Sequence, residues 1–249
     1  MIYYLYRVLR FVVLGLDLAL LTLVLYLLAW LPHAWTRRFY PRLFWFWSRV
    51  FVRALGIELH LHQHQTRRLP EPYLLIANHP SAAEDLVIPA LFPVYCLAKI
   101  EVRDWWIVGR MSAAAGTLYV HRESKESRRA AKQLIVDELR AGKNIGLYPE
   151  GGCKGRRLYH RFYYGVFEIS MESGVPIVPV FLHYEAQEDF EWQPPYSLLH
   201  KLWHFMTSRN PRAHVHVYDA IEPTGFADRE QFCEYVYGLY RQWQSQYLE

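Results

Sequence analysis

The segment YLLIANHPSAAE, residues 73–84, decides the fold of this chain, because a short apolar run passes directly into a polar cluster. A run such as residues 73–77 is typical of a strand that is buried on both faces of a sheet. In α/β proteins the polar groups after such a strand lie at the carboxyl edge of the sheet, where ligands bind. The segment therefore predicts both an α/β fold and the position of a functional site.

Outward from this segment, short apolar runs alternate with helical patterns. Four more runs predict strands: residues 117–120, 144–148, 177–182 and 214–218. Helices are expected after Glu84, over residues 165–173, after Asp228, and between Ser124, a candidate N-cap, and Gly142, a candidate stop. This alternation predicts a mostly parallel central sheet flanked by helices.

The positive charge of the chain is concentrated near its N-terminus. The 249 residues carry a net charge of +4 and are 16% aromatic. Residues 1–70 hold nine Arg and no Lys against only Asp17 and Glu58, so the rest of the chain is slightly acidic. This distribution argues against a nucleic-acid-binding surface. A basic, aromatic N-terminus on a nearly neutral body indicates attachment to an anionic membrane.

Residues 11–31 are almost wholly apolar and could reach about 31 Å as a helix, enough to span a bilayer core. The sequence leaves open whether this helix spans the membrane or lies in one leaflet. Arg residues on both sides, more numerous after it, favour a body on the cytoplasmic face of the membrane. Residues 43–56, which mix aromatic side chains with Arg, predict an interfacial helix, with a core helix as the alternative. We expect residues 1–56 to form helices that anchor the protein to the membrane, and residues 57–249 to form an α/β catalytic domain.

The segment 186–212 is irregular and contains Trp192, Pro194 and Pro195. It is interpreted either as a second patch that touches the membrane or as a surface loop with a short helix.

The first candidate site is His79 with Glu84, five residues apart across a predicted helix start. A carboxylate at one imidazole nitrogen leaves the other free to act as a general base. Asp85 is adjacent, so a pairing shifted by one residue stays open.

Two further blocks follow predicted strands. Gly116, Tyr119 and Arg122 form a Gly-x-x-Tyr-x-x-Arg pattern, and its Arg could bind phosphate. Glu150 and the glycines after it form a turn whose backbone N–H groups are available for binding. This turn belongs to the third block along the chain, which comprises Tyr148, Pro149, Glu150, Gly151 and Gly152 and is followed by Lys154. A last block, Val-Pro-Ile-Val-Pro-Val at residues 175–180, marks the entry to a strand.

In this order the four blocks resemble the motifs of the glycerolipid acyltransferase family, of the bacterial 1-acylglycerol-3-phosphate acyltransferase type. The resemblance covers residues 43–182, and Lys99 resembles an intermediate element of the family. Two departures stand out. Glu84 replaces the usual Asp, as related lipid A acyltransferases allow. Gly152-Cys153 replaces the Thr-Arg of the third motif, and Lys154 is the candidate substitute for that Arg.

The resemblance implies transfer of a fatty acyl group from acyl-CoA or acyl-carrier protein to a lysolipid hydroxyl, with no metal and no other cofactor. It makes His79 the base and Glu84 its partner. The expected substrate-binding residues are Lys99, Gly116, Tyr119, Arg122, Glu150, Gly151, Gly152 and Lys154. The favoured acceptor is 1-acylglycerol-3-phosphate; another lysolipid or lyso-aminolipid, a hydrolase, or a non-catalytic lipid-binding protein of the same fold are the alternatives. The oligomeric state and the acyl chain length stay open.

Two other features invite a functional interpretation. His60, His62 and His64 would share one face of a strand, and we interpret them as an exposed face rather than a metal site, because no acidic or Cys ligand accompanies them. Cys153 lies beside the third motif, but nothing in its neighbourhood indicates a lowered thiol pKa, so the sequence assigns it no covalent role.

Overall fold

The computed structural model describes residues 2–192 and 197–249, with side chains from residue 9 onward. Its centre is a seven-stranded sheet in the order β1-β7-β6-β2-β5-β3-β4. The strands are β1 (Glu58–Gln63), β2 (Leu74–Ala77), β3 (Tyr95–Lys99), β4 (Leu118–Val120), β5 (Ile145–Leu147), β6 (Ile177–Tyr184) and β7 (Arg212–Val217). All neighbouring pairs are parallel except β6 and β7, which run antiparallel. The predicted mostly parallel sheet is confirmed.

All five strands predicted from apolar runs are present. β1 holds His60 and His62, which were expected on an exposed strand face, and β3 was not predicted. β1 is an edge strand whose sequence, ELHLHQ, is only one-third apolar and largely exposed. β3 is only partly buried along its length, ending in an exposed Lys99. Because neither segment forms a buried apolar run, the pattern that identified the other strands is absent.

The helices surround the sheet. They are α1 (Ile2–Leu28), α2 (His33–Thr36), α3 (Tyr40–Ala54), α4 (Glu84–Leu91), α5 (Trp106–Ala114), α6 (Lys125–Arg140), α7 (Gly165–Ser173), α8 (Gln187–Phe190), α9 (Leu198–Thr207) and α10 (Arg229–Leu248). The four helices predicted in the α/β region, α4, α6, α7 and α10, are present. The Oγ of Ser124 accepts a hydrogen bond from the Ser127 N–H (3.1 Å) and caps α6, as predicted.

The core lies on both faces of the sheet because successive residues of β2 point to opposite sides. Leu75 packs with Val87 of α4 and with strand residues on one face, whereas Leu74 packs with Ile135 of α6 and Phe232 of α10 on the other. β2 is therefore buried on both sides, and its carboxyl end is held firmly at the centre of the molecule.

The N-terminal helices pack against this body through α3. The Tyr40 hydroxyl donates to the Leu25 carbonyl (2.8 Å), which joins α3 to α1, while Val52 and Leu55 belong to the core beneath the sheet. Phe46 on the outer side of α3 stays 52% exposed. One face of α3 is therefore buried, as the core-helix alternative predicted, and the other is exposed. The expected boundary between residues 56 and 57 does not separate two cores, because α3 packs into the core of the α/β body.

Most of α1 is apolar and exposed. Leu9–Leu28 is long and apolar enough to cross a membrane, and Leu16 and Leu20 are each 65% exposed.

In the segment 186–212, Pro194 and Pro195 lie outside the described residues. Residues after them form α9, on which Leu199 and Trp203 are exposed.

Candidate active site

His79 and Glu84 meet where β2 ends and α4 begins. The His79 Nδ1 lies 2.9 Å from Glu84 Oε2, which also accepts the Ser81 backbone N–H (2.8 Å). The Tyr184 hydroxyl at the end of β6 donates to the other carboxylate oxygen. Glu84 is fully buried, whereas Asp85 is exposed. The carboxylate that contacts the imidazole is therefore that of Glu84.

The third motif is joined to the same histidine, because β5 lies directly beside β2. The His79 N–H donates to Glu150 Oε1 (2.8 Å), and the His79 carbonyl accepts the Lys154 N–H (3.1 Å). The Tyr148 ring stacks on the imidazole with 4.0 Å between centroids. These contacts fix the imidazole from its backbone and from one ring face.

One carboxylate oxygen of Glu150 accepts the His79 N–H, as described above. Its second oxygen accepts the Tyr159 N–H (2.8 Å), so both oxygens are used by backbone donors, and the side chain is only 2% exposed. The carboxylate therefore supports the loop and the His79 backbone. Substrate binding by Glu150 stays a prediction, which these contacts do not support.

Arg122, at the end of β4, reaches the glycine turn and donates to the Gly151 carbonyl (2.7 Å). Gly151 has φ +74, and a Cβ there would lie 2.8 Å from the Tyr163 ring, so only glycine fits. Its N–H donates to the Tyr148 carbonyl (3.0 Å). Arg122, Gly151 and Gly152 are thus brought together as the sequence implied.

Three predicted binding residues lie apart from this cluster. Gly116 precedes β4, at the end opposite Arg122, where its φ of +86 and the nearby Tyr95 ring explain the glycine. The Tyr119 hydroxyl contacts Ser112 Oγ (2.7 Å). Lys99 is exposed at the end of β3. The contacts of Gly116 and Tyr119 are with other parts of the protein, and substrate binding by these two residues and Lys99 stays a prediction.

A cavity of about 770 Å³ opens beside the glycine turn. Tyr148, Gly151 and Gly152 form its wall next to the histidine. Much of the remaining wall combines apolar side chains with basic ones: Leu97, Val120, Ile135, Val166 and Ile169, with Arg122, Arg128, Arg129 and Lys132. Glu168 also lines the cavity, paired with Lys132 (3.3 Å). Such a lining can accept a molecule with both an apolar chain and negative charge.

Burial and hydrogen bonding oppose each other at His79. Burial alone would lower its pKa, but the hydrogen bonds with Cys153 and Glu84 outweigh burial and hold the pKa well above its ordinary value. The imidazole therefore binds its proton more tightly than a solvated histidine does.

Three contacts of this site were not found from the sequence. Tyr184 of β6 contacts Glu84, and Tyr148, just after β5, stacks on His79. Tyr148 belongs to the third motif, but no local pattern signals either contact. Cys153 Sγ lies 3.4 Å from His79 Nε2 and 3.1 Å from the Ser81 carbonyl oxygen. The only sequence signal for Cys153 is its place next to the third motif.

The histidines of β1 belong to a larger array. His62 Nε2 lies 2.9 Å from His214 Nδ1, and His64 Nε2 lies 2.9 Å from His216 Nδ1 on neighbouring β7; His183 of β6 stacks on both β7 rings. Within residues 2–192 and 197–249, no group of three or more His, Cys, Asp or Glu has a metal-binding arrangement.

Comparison with known proteins supports the motif assignment. A sequence model of the family described as Acyltransferase matches residues 58–183. A lyso-ornithine lipid O-acyltransferase of Pseudomonas aeruginosa is 29% identical over 229 residues, covering 88% of this chain and 84% of that protein. A 1-acyl-sn-glycerol-3-phosphate acyltransferase of Neisseria meningitidis is 26% identical over 137 residues, covering 55% of this chain and 53% of that protein.

The fold also has a solved counterpart. The crystal structure of the 1-acyl-sn-glycerophosphate (LPA) acyltransferase PlsC from Thermotoga maritima superposes with a TM-score of 0.66 over 94% of this chain and 97% of that one, at 16% identity. The region matched by the family sequence model holds all four motifs and just over half of the chain. The chain therefore belongs to the acyltransferase family and is an enzyme that transfers acyl groups.

Proposed function

We propose that this acyltransferase moves a fatty acyl group from a thioester donor, acyl-CoA or acyl-carrier protein, to the hydroxyl of a lysolipid, with His79 as general base. The observation that carries the proposal is the buried contact of 2.9 Å between His79 and Glu84, beside a cavity lined by apolar and basic side chains. The lysolipid acyltransferases among the relatives support the substrate class.

An alcohol is a poor nucleophile at neutral pH and must lose its proton as it attacks. In the proposed step His79 Nε2 takes the hydroxyl proton while the oxygen bonds to the thioester carbonyl carbon. The C–S bond then breaks, and the leaving thiol takes the proton from His79. Glu84 orients the imidazole and stabilises its charged form.

The oxyanion formed in this step needs a hydrogen-bond donor. Because the Gly151 N–H already donates to Tyr148, we assign this role to the Gly152 N–H, for which the described residues offer no backbone acceptor. Arg122, which holds the Gly151 carbonyl, keeps the turn in place and supplies positive charge beside it. Lys154 lies just beyond the turn, and its ammonium group rests over the Tyr159 ring.

The acceptor is the finer part of the proposal. We carry forward 1-acylglycerol-3-phosphate, which the basic lining of the cavity suits. Lyso-ornithine lipid is the second candidate, because the relative with that activity matches along 88% of this chain. The loss of the motif's Thr-Arg at Gly152-Cys153 removes one phosphate-binding side chain and favours testing both.

We further propose that the enzyme works at the cytoplasmic face of the membrane. The exposed apolar side chains of α1 and the Trp residues near its end suit a bilayer and its interface: Trp30 is 60% exposed and Trp35 is 70% exposed. The Arg residues that follow α1 are the reason for the cytoplasmic assignment.

The test is a transfer assay with full-length protein in phospholipid vesicles, labelled palmitoyl-CoA or palmitoyl-carrier protein, and either acceptor. We expect wild type to label one lysolipid and His79→Ala to lose at least about 100-fold in rate while keeping its thermal unfolding temperature. His33→Ala, at an exposed site, serves as the matched control. Full activity in His79→Ala would remove the base assignment, and donor hydrolysis without transfer to any acceptor would reassign the enzyme as a thioesterase.

A further inference from the structure

We propose that Tyr184 is a positioning residue for acyl transfer, whose hydroxyl keeps the Glu84 carboxylate charged and aimed at His79. This inference rests on the proposed function, in which His79 is the general base. Tyr184 lies at the end of β6, 100 positions along the chain from Glu84, and it is only 1% exposed. It acts on the histidine through the carboxylate.

The two oxygens of the Glu84 carboxylate have separate partners. Oε2 lies 2.9 Å from His79 Nδ1 and accepts the Ser81 backbone N–H (2.8 Å). Oε1 accepts the Tyr184 hydroxyl, its one hydrogen-bond donor within residues 2–192 and 197–249. Loss of this hydroxyl would leave one oxygen of a fully buried carboxylate without a donor. Because an unsatisfied buried charge is costly, the carboxylate would then take up a proton or turn away from the imidazole.

The phenol suits this task because it keeps its own proton. Burial raises the pKa of Tyr184 well above its ordinary value, and the negative charge of Glu84 raises it further. Burial also raises the pKa of Glu84, whereas the hydrogen bonds with His79, Tyr184 and Ser81 lower it. Tyr184 therefore stays a donor and favours the charged form of Glu84, which is the form that stabilises an imidazolium.

Stacking and a pair of hydrogen bonds fix the position of the phenol. The Tyr184 ring stacks on buried Phe190 with 4.3 Å between centroids, and Phe190 stacks in turn on buried Phe205 at 4.8 Å. Two residues before the phenol, the Leu182 backbone is held by the side chain of Asn78, which donates to its carbonyl (2.8 Å) and accepts its N–H (2.7 Å). Asn78 directly precedes the catalytic histidine, so these bonds set the spacing between base and phenol.

The length of the Glu84 side chain is part of this arrangement. An aspartate is shorter by one C–C bond of about 1.5 Å, so its carboxylate could not hold both His79 and the Tyr184 hydroxyl where they now lie. The effect of the hydroxyl should therefore depend on the glutamate. Residues in direct contact show such coupling when both are replaced.

The experiment compares full-length wild type, Tyr184→Phe and Tyr40→Phe in the palmitoyl transfer assay and in an NMR titration of His79, whose signals are assigned through His79→Ala. Tyr184→Phe removes the hydroxyl and keeps the stacked ring. We expect kcat to fall by about 10-fold, because a hydrogen bond to a charged group is lost. The pKa of His79 should move lower, both in the titration and in the pH profile of kcat/KM, because a less charged Glu84 stabilises the imidazolium less.

Tyr40 is the matched control, since its buried hydroxyl donates to the Leu25 carbonyl (2.8 Å) in the contact between α1 and α3. Tyr40→Phe should lower the thermal unfolding temperature and leave kcat and the His79 titration unchanged. The other titratable groups around the pair are the same in wild type and Tyr184→Phe, so a shift reports the missing hydroxyl. They are Asp85 of α4, Cys96 of β3, and Tyr148, Glu150 and Cys153 after β5.

Glu84→Asp, with and without Tyr184→Phe, measures the coupling. In the Glu84→Asp background, loss of the hydroxyl should change kcat by less than about 2-fold. An equal loss of kcat in both backgrounds overturns the proposal. Tyr184→Phe with wild-type kcat and an unmoved His79 titration also overturns it, even if the unfolding temperature falls, because the role is then purely structural. Wild type that transfers to no lysolipid contradicts the proposed function alone, since the His79 titration needs no turnover and still tests Tyr184.

Discussion

The imidazole of His79 and the carboxylate of Glu84 form a contact of 2.9 Å that is almost closed to solvent, with His79 5% exposed and Glu84 fully buried. Two donors besides the imidazole, the Ser81 N–H and the Tyr184 hydroxyl, hold the carboxylate in place. A buried carboxylate with this many partners is ready to stabilise an imidazolium as it forms.

Replacing Glu84 by Gln should lower kcat by about 10²–10⁴-fold, because the amide keeps the shape of the side chain but not the charge that stabilises the protonated imidazole. The assay is acyl transfer to lysolipid at saturating donor. Asp85→Asn, the neighbouring exposed acid, is the matched control and should keep wild-type activity. If Asp85→Asn lost activity and Glu84→Gln did not, the pairing would have to be shifted by one residue.

The pH dependence of transfer should show the raised pKa of His79. The base acts in its neutral form, so kcat/KM should rise with pH through a pKa above the ordinary histidine value of about 6.5 and then level off. Glu84→Gln should move this rise to lower pH, because loss of the carboxylate charge removes a cause of the elevated pKa. A profile of kcat/KM between about pH 5 and pH 9 tests both statements; a wild-type rise below pH 6.5 would count against them.

The parts of this site that lie within one stretch of chain could be predicted, and the parts that join distant stretches could not. His79 and Glu84 are separated by one turn, so their pairing follows from local geometry. Arg122 was predicted as a charged group after a strand, and the strand order brings it to Gly151. Helix α6 was likewise predicted from its N-cap Ser124 and from the helical spacing of the apolar residues that follow it.

The contacts that the sequence did not predict arise from strand pairing in the sheet and from hydrogen bonds between residues far apart in the chain. Cys153 is 74 positions from His79, and only the pairing of β5 beside β2 brings the thiol to Nε2. Glu150 was predicted as a substrate-binding residue from its resemblance to the family's third motif. In the structure, two backbone N–H groups take both of its oxygens first.

Glu150→Gln should destabilise the protein by about 1–3 kcal/mol, because the amide would turn an N–H group towards a backbone N–H that now has an acceptor. Thermal unfolding measures this loss, and the transfer rate should fall with it as the His79 backbone loses its support. Glu188→Gln is the control, since that side chain is 91% exposed and should change neither quantity. A variant with lowered transfer and unaltered unfolding would return Glu150 to the substrate-binding residues.

Tyr148→Phe should keep full activity and leave stability unchanged or higher by up to about 1 kcal/mol. Its ring stacks on His79, whereas its buried hydroxyl has no hydrogen-bond partner within the described part of the chain. The replacement keeps the stacking and removes a polar group that is costly to bury. Tyr148→Leu, which loses the stacked ring, should lower kcat; equal loss in the Phe variant would show that the hydroxyl takes part in the reaction.

The histidine array should make the fold sensitive to acid. Burial, followed by neighbouring histidines, lowers the pKa of His183 to about 4 and of His216 to about 3. In the unfolded chain a histidine binds its proton near pH 6.5, so below that pH the unfolded state takes up more protons than the folded state. The stability contributed by the neutral rings is therefore complete above about pH 6.5 and declines as the pH falls towards 4.

The test compares thermal unfolding temperatures between pH 6.5 and pH 4 with the value of the same protein at pH 8. The unfolding temperature of His183→Asn should fall less than that of wild type over this range. His33→Asn, at an exposed site, is the control and should follow wild type. Identical pH profiles for His183→Asn and wild type would show that the array does not carry the acid sensitivity.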